Sequence, residues 1–591
     1  MKRRVADIIM DILVENHITD CFAVVGGGAM HLDNALALNN NIHKYFDHHE
    51  QACAMAAEAY ARLSGKMAVV CVTSGPGATN TLTGVMGAWQ DSLPMIVLSG
   101  QVRYEISVAK SGLPLRYRGI QEFEIVPAVK NMTKYAVMVT DPLSIKREMR
   151  KAIRIALEGR RGLVWLDIPQ DIQNAMVEEE HLYPEEETNV KRETVDYSKM
   201  KQILKSAKRP CILAGSGIRS GNVMEEFLEF VDRMKIPVIG GAWVADNLYM
   251  EHPLYFGPSG NIGPRTGNFI LQNADVILSL GNSLGFRQTG FNQQDFAPHA
   301  KIIMVDADEN EAKKPGLHID EFIHRDLKEF FEEIKGDTFE VAVSKEWMDY
   351  CSMLKERFNA FEAVEDIKME ERVCSYYFWK IFAKYEPDDS ILALGNNTAN
   401  TAKLQIGVEK REQRVLSNYT CGSMGYDLPA AVGAAVASNK RVFCVTGDGS
   451  IMMNLQELQT ISHYDLPVHV VVFSNGGYAA IRQTSKNFFH GVCIGCTKET
   501  GIDFPDFENV AKTFGFDYLC CHSNAEVENC VKTMMSSSKR MLLEVEQLYD
   551  NPVIPKVMSR LDENGKMLTP ALQDMAPFLS EEEMDNLMFA K

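Results

Sequence analysis

The sequence has no apolar run near the roughly 18 residues of a membrane-spanning helix, so no membrane partner is expected. It has no basic excess either: 61 Lys and Arg stand against 79 Asp and Glu, a formal net charge of -18. A nucleic-acid footprint would need a concentrated basic face, so that partner is not expected. Low-complexity tracts are missing. Cysteine occurs 13 times, an odd count without metal-type pairs; Cys520–Cys521 are adjacent and Cys493–Cys496 make one lone CxxC. These are read as reduced, structural thiols of a cytoplasmic protein. The basic start, MKRRVADIIMDILVENHI, is interrupted by Asp7 and Asp11 and has no small-residue cleavage site, unlike a signal peptide. Ile8, Ile9, Ile12 and Leu13 sit at helical spacing and predict an amphipathic first helix.

What is present is a 591-residue chain of globular composition, 46% hydrophobic and 24% charged, long enough for roughly three or four domains. Three stretches alternate short β-rich apolar runs with helical patterns, which predicts an α/β fold of three doubly wound parallel sheets. The expected domains are residues 1–175, 195–335 and 370–550, followed by an irregular tail over 551–591 with an acidic end. An acidic linker from Glu178 to about Thr194 and a polar helical connector over about 335–372 separate them.

The strongest local signal is GDGSIMMNLQEL (447–458), followed by FSNGGY (473–478). A buried strand stops at a tight Gly447–Asp448–Gly449 turn and a helix then begins, with Ser450 among the candidate cofactor contacts. Exposed N–H groups at such a start suit phosphate. A carboxylate there fits phosphate only if a hard cation lies between them, and Mg²⁺ takes carboxylate, amide and backbone oxygens. Asn475 ends the next strand, and parallel strand ends point to one edge, so Asp448 and Asn475 can converge. Alone, such a turn is common in ordinary loops.

This pattern resembles the diphosphate–metal motif of thiamine-diphosphate enzymes, Gly-Asp-Gly followed about 25 residues later by Asn. Here 25 residues separate Gly449 from Asn475, and Ser474–Asn475 stands where the family usually has Asn-Asn. The resemblance implies thiamine diphosphate with Mg²⁺ held by Asp448, Asn475 and the backbone carbonyl of Gly477, with Tyr478 beside them. FDHHEQACAMAAEAYARLSGK (46–66) looks like the segment carrying the family's catalytic glutamate, here Glu50. A carboxylate on the pyrimidine N1′ favours the tautomer that places a base beside C2. Read by itself, Glu50 is a helix-start acid, and His48 and His49 face solvent or pack. FAVVGGGAMHLDNAL (22–36) matches the family's glycine loop with Gly26 and Gly27, and SGPGATNTLTGVMGAWQDSLPMIVLSGQ (74–101) its most recognisable first-domain stretch. In YTCGSMGYDLPAAVGAAVA (419–437) Gly422 would accept from the aminopyrimidine and Met424 would wedge it, while Gly395, Asn396 and Asn397 match a diphosphate contact.

Within that family the nearest pattern is the acetolactate (acetohydroxyacid) synthase group, with Gln121 matching an active-site glutamine. The implied reaction decarboxylates a 2-keto acid, pyruvate first among them, and transfers two carbons to a carbonyl acceptor. Thr484 stands where the branched-chain enzymes carry tryptophan, and Ser283 where they carry the arginine that holds the acceptor carboxylate. Losing that anchor implies an acceptor other than a second keto acid. MGYDLPAA and QDMAPFL (573–579) resemble acetolactate synthase-like proteins of bacterial surface-sugar pathways, which points to a keto-sugar acceptor. AGSGIR (214–219), FRQTG (286–290) and VDAD (305–308) match parts of the family's flavin domain; the same fold occurs without FAD, so FAD stays open, and Arg287 reads equally as an ion-pair residue. The resemblance also implies a homodimer or homotetramer. A simple 2-keto acid decarboxylase, a flavin-linked oxidase and a non-catalytic binding protein remain as alternatives.

Overall fold

The computed structural model describes residues 2–185, 194–242, 244–337, 339–359, 361, 372–561 and 567–589. Parts of both expected connectors (186–193 and 362–371) lie outside them. Three six-stranded parallel sheets organise the chain. The first contains β1 (Asp20–Ala23), β2 (His43–Phe46), β3 (Ala68–Val72), β4 (Met95–Gln101), β5 (Tyr135–Met138) and β6 (Val164–Pro169). The second contains β7 (Pro210–Ala214), β8 (Val238–Gly240), β9 (Tyr255–Pro258), β10 (Val276–Leu280), β11 (Lys301–Asp306) and β12 (Glu321–His324). The third contains β13 (Ile391–Leu394), β14 (Arg414–Leu416), β15 (Val442–Gly447), β16 (Val468–Ser474), β17 (Asp517–Cys521) and β18 (Met541–Glu546).

The first and third sheets share one order, β2-β1-β3-β4-β6-β5 and β14-β13-β15-β16-β18-β17, whereas the second runs β9-β8-β7-β10-β11-β12. The inner strands are near-continuous apolar runs, as strands covered on both faces must be. In each sheet the order reverses beside the first strand, and the crevice outside the carboxyl ends of those strands is where such folds bind ligands.

One core joins the first and third sheets. The Ala-rich helices Glu50–Ser64 and Asp427–Ser438 pack face to face inside it. Their axes come close because the contact is made of small side chains: a Cβ on Gly433 would lie 2.0 Å from the Ala56 carbonyl oxygen. Glu58 is buried in this seam, accepting from Arg62 and from the Tyr426 hydroxyl. The first helix, Val5–Glu15, buries Ile8, Ile9, Ile12 and Leu13.

Two expectations need correction. Within the expected polar connector, helix Lys345–Arg357 buries Trp347, Cys351 and Leu354, and the Trp347 Nε1–H donates to the Pro210 carbonyl at 2.9 Å. It is part of the central body, because one apolar stripe suffices to dock a highly charged helix. The acidic end of the tail is helix Glu581–Leu587, started by a Ser580–Glu583 capping box. The tail lies against the central domain, where Asn268 Nδ2 donates to the Leu572 carbonyl at 3.0 Å. Among the described residues no helix is long and apolar enough to cross a membrane.

Candidate active site

At the third sheet, β13 and β15 are neighbours on either side of the order reversal. After β13 the chain passes Gly395, Asn396 and Asn397; after β15 it turns at Gly447–Asp448–Gly449 into the short helix Asp448–Ile451. Asp448 Oδ2 accepts from the backbone N–H of Asn475 (2.9 Å), Gly476 (2.7 Å) and Gly477 (3.2 Å), and Oδ1 accepts from Gly449 N–H at 2.8 Å. Burial nonetheless pushes the Asp448 carboxyl above the ordinary carboxylate range, with those four donors pulling the other way. A cation beside it would offset that cost.

Around this carboxylate the polar atoms are incompletely paired. The Asn475 amide donates to Gln547 Oε1 at 3.0 Å, and its Oδ1 accepts from Arg482 Nη2 at 3.3 Å. Asn397 caps the helix Thr398–Ile406 through Oδ1. Asn397 Nδ2, Gln547 Nε2 and Arg482 Nη1 are buried without a hydrogen-bond partner among the described residues. Leaving three buried donors unpaired is costly, and an anion would satisfy them. The Asn475 oxygen, already beside a guanidinium cation, and the Asp448 carboxylate are the oxygen set a hard divalent ion takes. The residues present therefore fit both a diphosphate and a divalent cation.

Close backbone approaches explain the glycines. A Cβ on Gly477 (φ +144°) would sit 1.9 Å from the Cys496 carbonyl oxygen, and one on Gly449 would sit 2.2 Å from the Tyr478 ring. Gly395 leaves room for the buried Asp427, whose Oδ2 accepts from the Ser450 hydroxyl at 2.6 Å. Ser450 also accepts from Gly425 N–H, so its hydroxyl belongs to an internal network. The Asn396 amide donates to the Gly422 carbonyl at 2.7 Å, and Met424, two residues further on, is half-buried.

The first sheet presents the matching edge. His49 caps helix Glu50–Ser64 by accepting from Gln51 N–H, and His48 N–H donates to Glu457. The His49 ring thus has a capping role, whereas the His48 bond is a backbone one and its side chain is exposed. Glu50 Oε2 accepts from Asn80 Nδ2 at 3.0 Å. Gly28 N–H donates to Thr73 Oγ1 at 2.9 Å, and Gly26 N–H to Asp33 Oδ2 at 3.1 Å. Burial raises the Asp33 carboxyl to about 6. The Gly27 Cα is open to space, and Gly27's carbonyl accepts from Gln170. Gln121 has φ +60° and its carbonyl oxygen is 2.3 Å from where a Cβ on Gly75 would lie. The structure thus gathers Gly26, Gly27, Glu50 and Gln121 on one edge and the residues from Gly395 to Tyr478 on another. Among the described residues no hydrogen bond or ion pair links Glu50 to the Asp448 group. Thr73, Asp33, Asn80, Asp427, Arg482 and Gln547 are parts of these edges that the sequence analysis did not single out.

In the central region Gly215 and Gly217 pack against Gly281 at the reversal between β7 and β10, where a Cβ on Gly215 would lie 2.0 Å from the Gly281 carbonyl oxygen. Ser216, Arg219, Ser283, Arg287 and Tyr419 help line a cavity of about 380 Å³ reaching all three regions. Arg219 is half-buried there, with its guanidinium lowered to about 10 by desolvation. The Ser283 carbonyl accepts from Lys314. Thr484 is exposed, and its hydroxyl donates to the Ala480 carbonyl.

Comparison with known proteins agrees with this architecture. Residues 3–122 match the thiamine pyrophosphate enzyme N-terminal TPP binding domain, 197–334 the central domain, and 393–545 the C-terminal TPP binding domain. The acetolactate synthase isozyme 2 large subunit of Escherichia coli K12 is 29% identical over 577 residues, covering 95% of this chain and 99% of that protein. A probable acetolactate synthase large subunit of Methanococcus aeolicus is 30% identical over 574 residues, covering 91% of each. The chloroplastic acetolactate synthase 2 of Zea mays is 30% identical over 582 residues, covering 94% of this chain and 87% of that protein. The chain belongs to the thiamine pyrophosphate enzyme family and is an enzyme of its acetolactate synthase type.

Proposed function

We propose that the protein is a cytoplasmic carboligase that decarboxylates a 2-keto acid, pyruvate first, and transfers the two-carbon unit to a carbonyl acceptor other than a second keto acid. The observation that carries the cofactor assignment is the Asp448 carboxylate, ringed by four N–H groups beside three unpaired buried donors. When bound, thiamine diphosphate supplies an acidic carbon that adds to the keto acid and takes up the electrons released as CO₂ leaves. Asp448, Asn475 and the Gly477 carbonyl would hold Mg²⁺. Asn397 and Gln547 would donate to the diphosphate from the positions where their amide nitrogens now lack acceptors. Gly422 and Met424 would hold the pyrimidine ring. Glu50 would share a proton with pyrimidine N1′, and Gln121 would face the reacting carbonyl.

The acceptor reading is supported by Ser283 and Thr484, neither of which supplies a cation or a large ring where branched-chain enzymes use them. A keto-sugar fits the resemblance of the MGYDLPAA and QDMAPFL segments. Product mass spectrometry tests it: pyruvate with a nucleotide-linked keto-sugar should give an acceptor-dependent carbon–carbon product. Acetaldehyde or acetate alone, whatever the acceptor, would favour the decarboxylase or oxidase alternative, and acetolactate from pyruvate alone would return the second keto acid.

FAD is proposed as a second ligand, at the order reversal between β7 and β10 where a dinucleotide pyrophosphate characteristically lies. Ser216, Arg219 and Arg287 line the adjoining cavity. Flavin absorbance of the purified protein decides it. The proposed assembly is a homodimer or homotetramer with each site between chains. It is supported by apolar side chains left exposed near both edges: Val25 and Ile120 at the first, Met453, Val492 and Ile494 at the third.

A further inference from the structure

β17 is the edge strand of the third sheet and pairs in parallel with β18, Cys520 opposite Glu544 and Cys521 opposite Val545. Side chains alternate across a strand. Cys521 and Val545 are fully buried, so Tyr518, Cys520, Glu544 and Glu546 share the opposite face, half-buried at the border of the sheet. The Tyr518 hydroxyl donates to Glu544 there at 2.7 Å. The chain turns at His522, whose backbone N–H donates to Glu526 at 2.9 Å. The imidazole returns over the same face, with Nδ1 3.6 Å from Cys520 Sγ and 3.2 Å from Glu546 Oε1. The three potential ligand atoms all lie within 4.8 Å of one another.

One ring nitrogen carries either a proton or a free lone pair, so Nδ1 can pair properly with the thiol or the carboxylate but not with both. A metal ion serves all three. With Zn–S near 2.3 Å and Zn–N and Zn–O near 2.0–2.1 Å, tetrahedral angles place S and N about 3.6 Å apart and N and O about 3.3–3.4 Å apart. The observed separations of 3.6 Å and 3.2 Å match those edges.

We propose that Cys520, His522 and Glu546 bind a divalent cation of the Zn²⁺ class, with a fourth position open to water, at the end of the third sheet's edge strand. The mixed sulfur, nitrogen and oxygen set separates this site from the all-oxygen set at Asp448 and disfavours Mg²⁺. Arg372 is the competing cation, but it faces the other oxygen, Glu546 Oε2, at 4.0 Å and leaves Oε1 to the site. Because the thiolate is the ligand, binding displaces the thiol proton. An occupied site would tie the edge strand to the end of β18, next to Gln547 and its bond to Asn475.

The test is titration of untagged, full-length protein, loaded with thiamine diphosphate and Mg²⁺, with Co²⁺ and then Zn²⁺. The expected result is one Co²⁺ per chain, with a sulfur-to-metal charge-transfer band and tetrahedral visible bands that Zn²⁺ abolishes. Calorimetry in buffers of different ionisation enthalpy should show about one proton released per ion. Cys520→Ser should remove the charge-transfer band, and His522→Ala should weaken Zn²⁺ binding by at least roughly 10–100-fold. Cys493→Ser should change neither. No Co²⁺ band in the wild type, or a full band in Cys520→Ser that Cys493→Ser removes, would overturn the site. If Cys520→Ser does not fold, Glu546→Gln gives the reading: weakened Zn²⁺ binding upholds the site, unchanged affinity removes it.

Discussion

The first and third sheets share a strand order but finish their ligand-facing edges differently. At the third, Asp448 is buried and accepts four backbone N–H groups from its own chain. At the first, Glu50 has one side-chain hydrogen-bond partner among the described residues, Asn80, and Val25 and Ile120, beside Gly26 and Gln121, are exposed. The third edge is thus organised by its own chain, while the first is left open; in the proposed function these are the diphosphate end and the proton-handling end. The difference is what the proposed assembly, with each site between two chains, would exploit: a closed edge from one chain set against an open edge from another.

The largest expected effect follows from breaking the closed half. Asp448→Ala should lose Mg²⁺-dependent thiamine diphosphate binding by more than the roughly 10–100-fold typical of losing a residue behind a metal ligand. Calorimetry with and without Mg²⁺ measures it, and undiminished Mg²⁺-dependent binding would place the ion elsewhere. Breaking the open half should act on rate instead of binding. Glu50→Gln should keep cofactor affinity within a small factor but slow hydrogen–deuterium exchange at C2 of the bound cofactor by about 10²–10⁴-fold. Wild-type exchange in that variant would remove Glu50 from the chemistry.

A smaller effect is expected where the two halves meet within the chain. Asp47 is buried against Glu457, and burial, then the Glu457 charge, push its carboxyl well above the ordinary range; burial raises Glu457 as well. Carboxyls raised by folding contribute stability that is fully present below their unfolded values and lost as pH rises through the raised folded values. The contribution of this pair to the wild type's thermal midpoint should therefore fall as pH rises above the ordinary carboxylate range. Asp47→Asn should flatten that slope and gain roughly 2–4 °C at the alkaline end for each ~1 kcal/mol of relief. An unchanged slope would mean the pair does not titrate with folding.

Much of this contrast was legible in the chain itself. Apolar runs ending in Gly-Asp-Gly and in Ser-Asn announce strand ends, and the parallel order then brings Asp448 and Asn475 together. The supporting residues were not legible. Thr73 reaches Gly28 across 45 positions and Gln547 reaches Asn475 across 72; each is a single polar residue whose meaning arises only when two strand ends become neighbours. Arg482 sits in an ordinary exposed-helix pattern, and nothing local says that its guanidinium turns back to Asn475. Helix Lys345–Arg357 read as a connector because its many charges obscured the stripe of Trp347, Cys351 and Leu354. The Ser580–Glu583 capping spacing was present in the tail, but an acidic end without a strong apolar run does not advertise a docked helix.

The most direct test of the two-half account is complementation between Glu50→Gln and Asp448→Ala chains carrying different tags. Each variant alone should be inactive. After subunit exchange, purified doubly tagged dimers should recover about half of wild-type activity per dimer, because two-fold symmetry gives one site with both lesions and one with neither. Doubly tagged dimers that form and stay inactive would contradict the account and place the whole site within one chain.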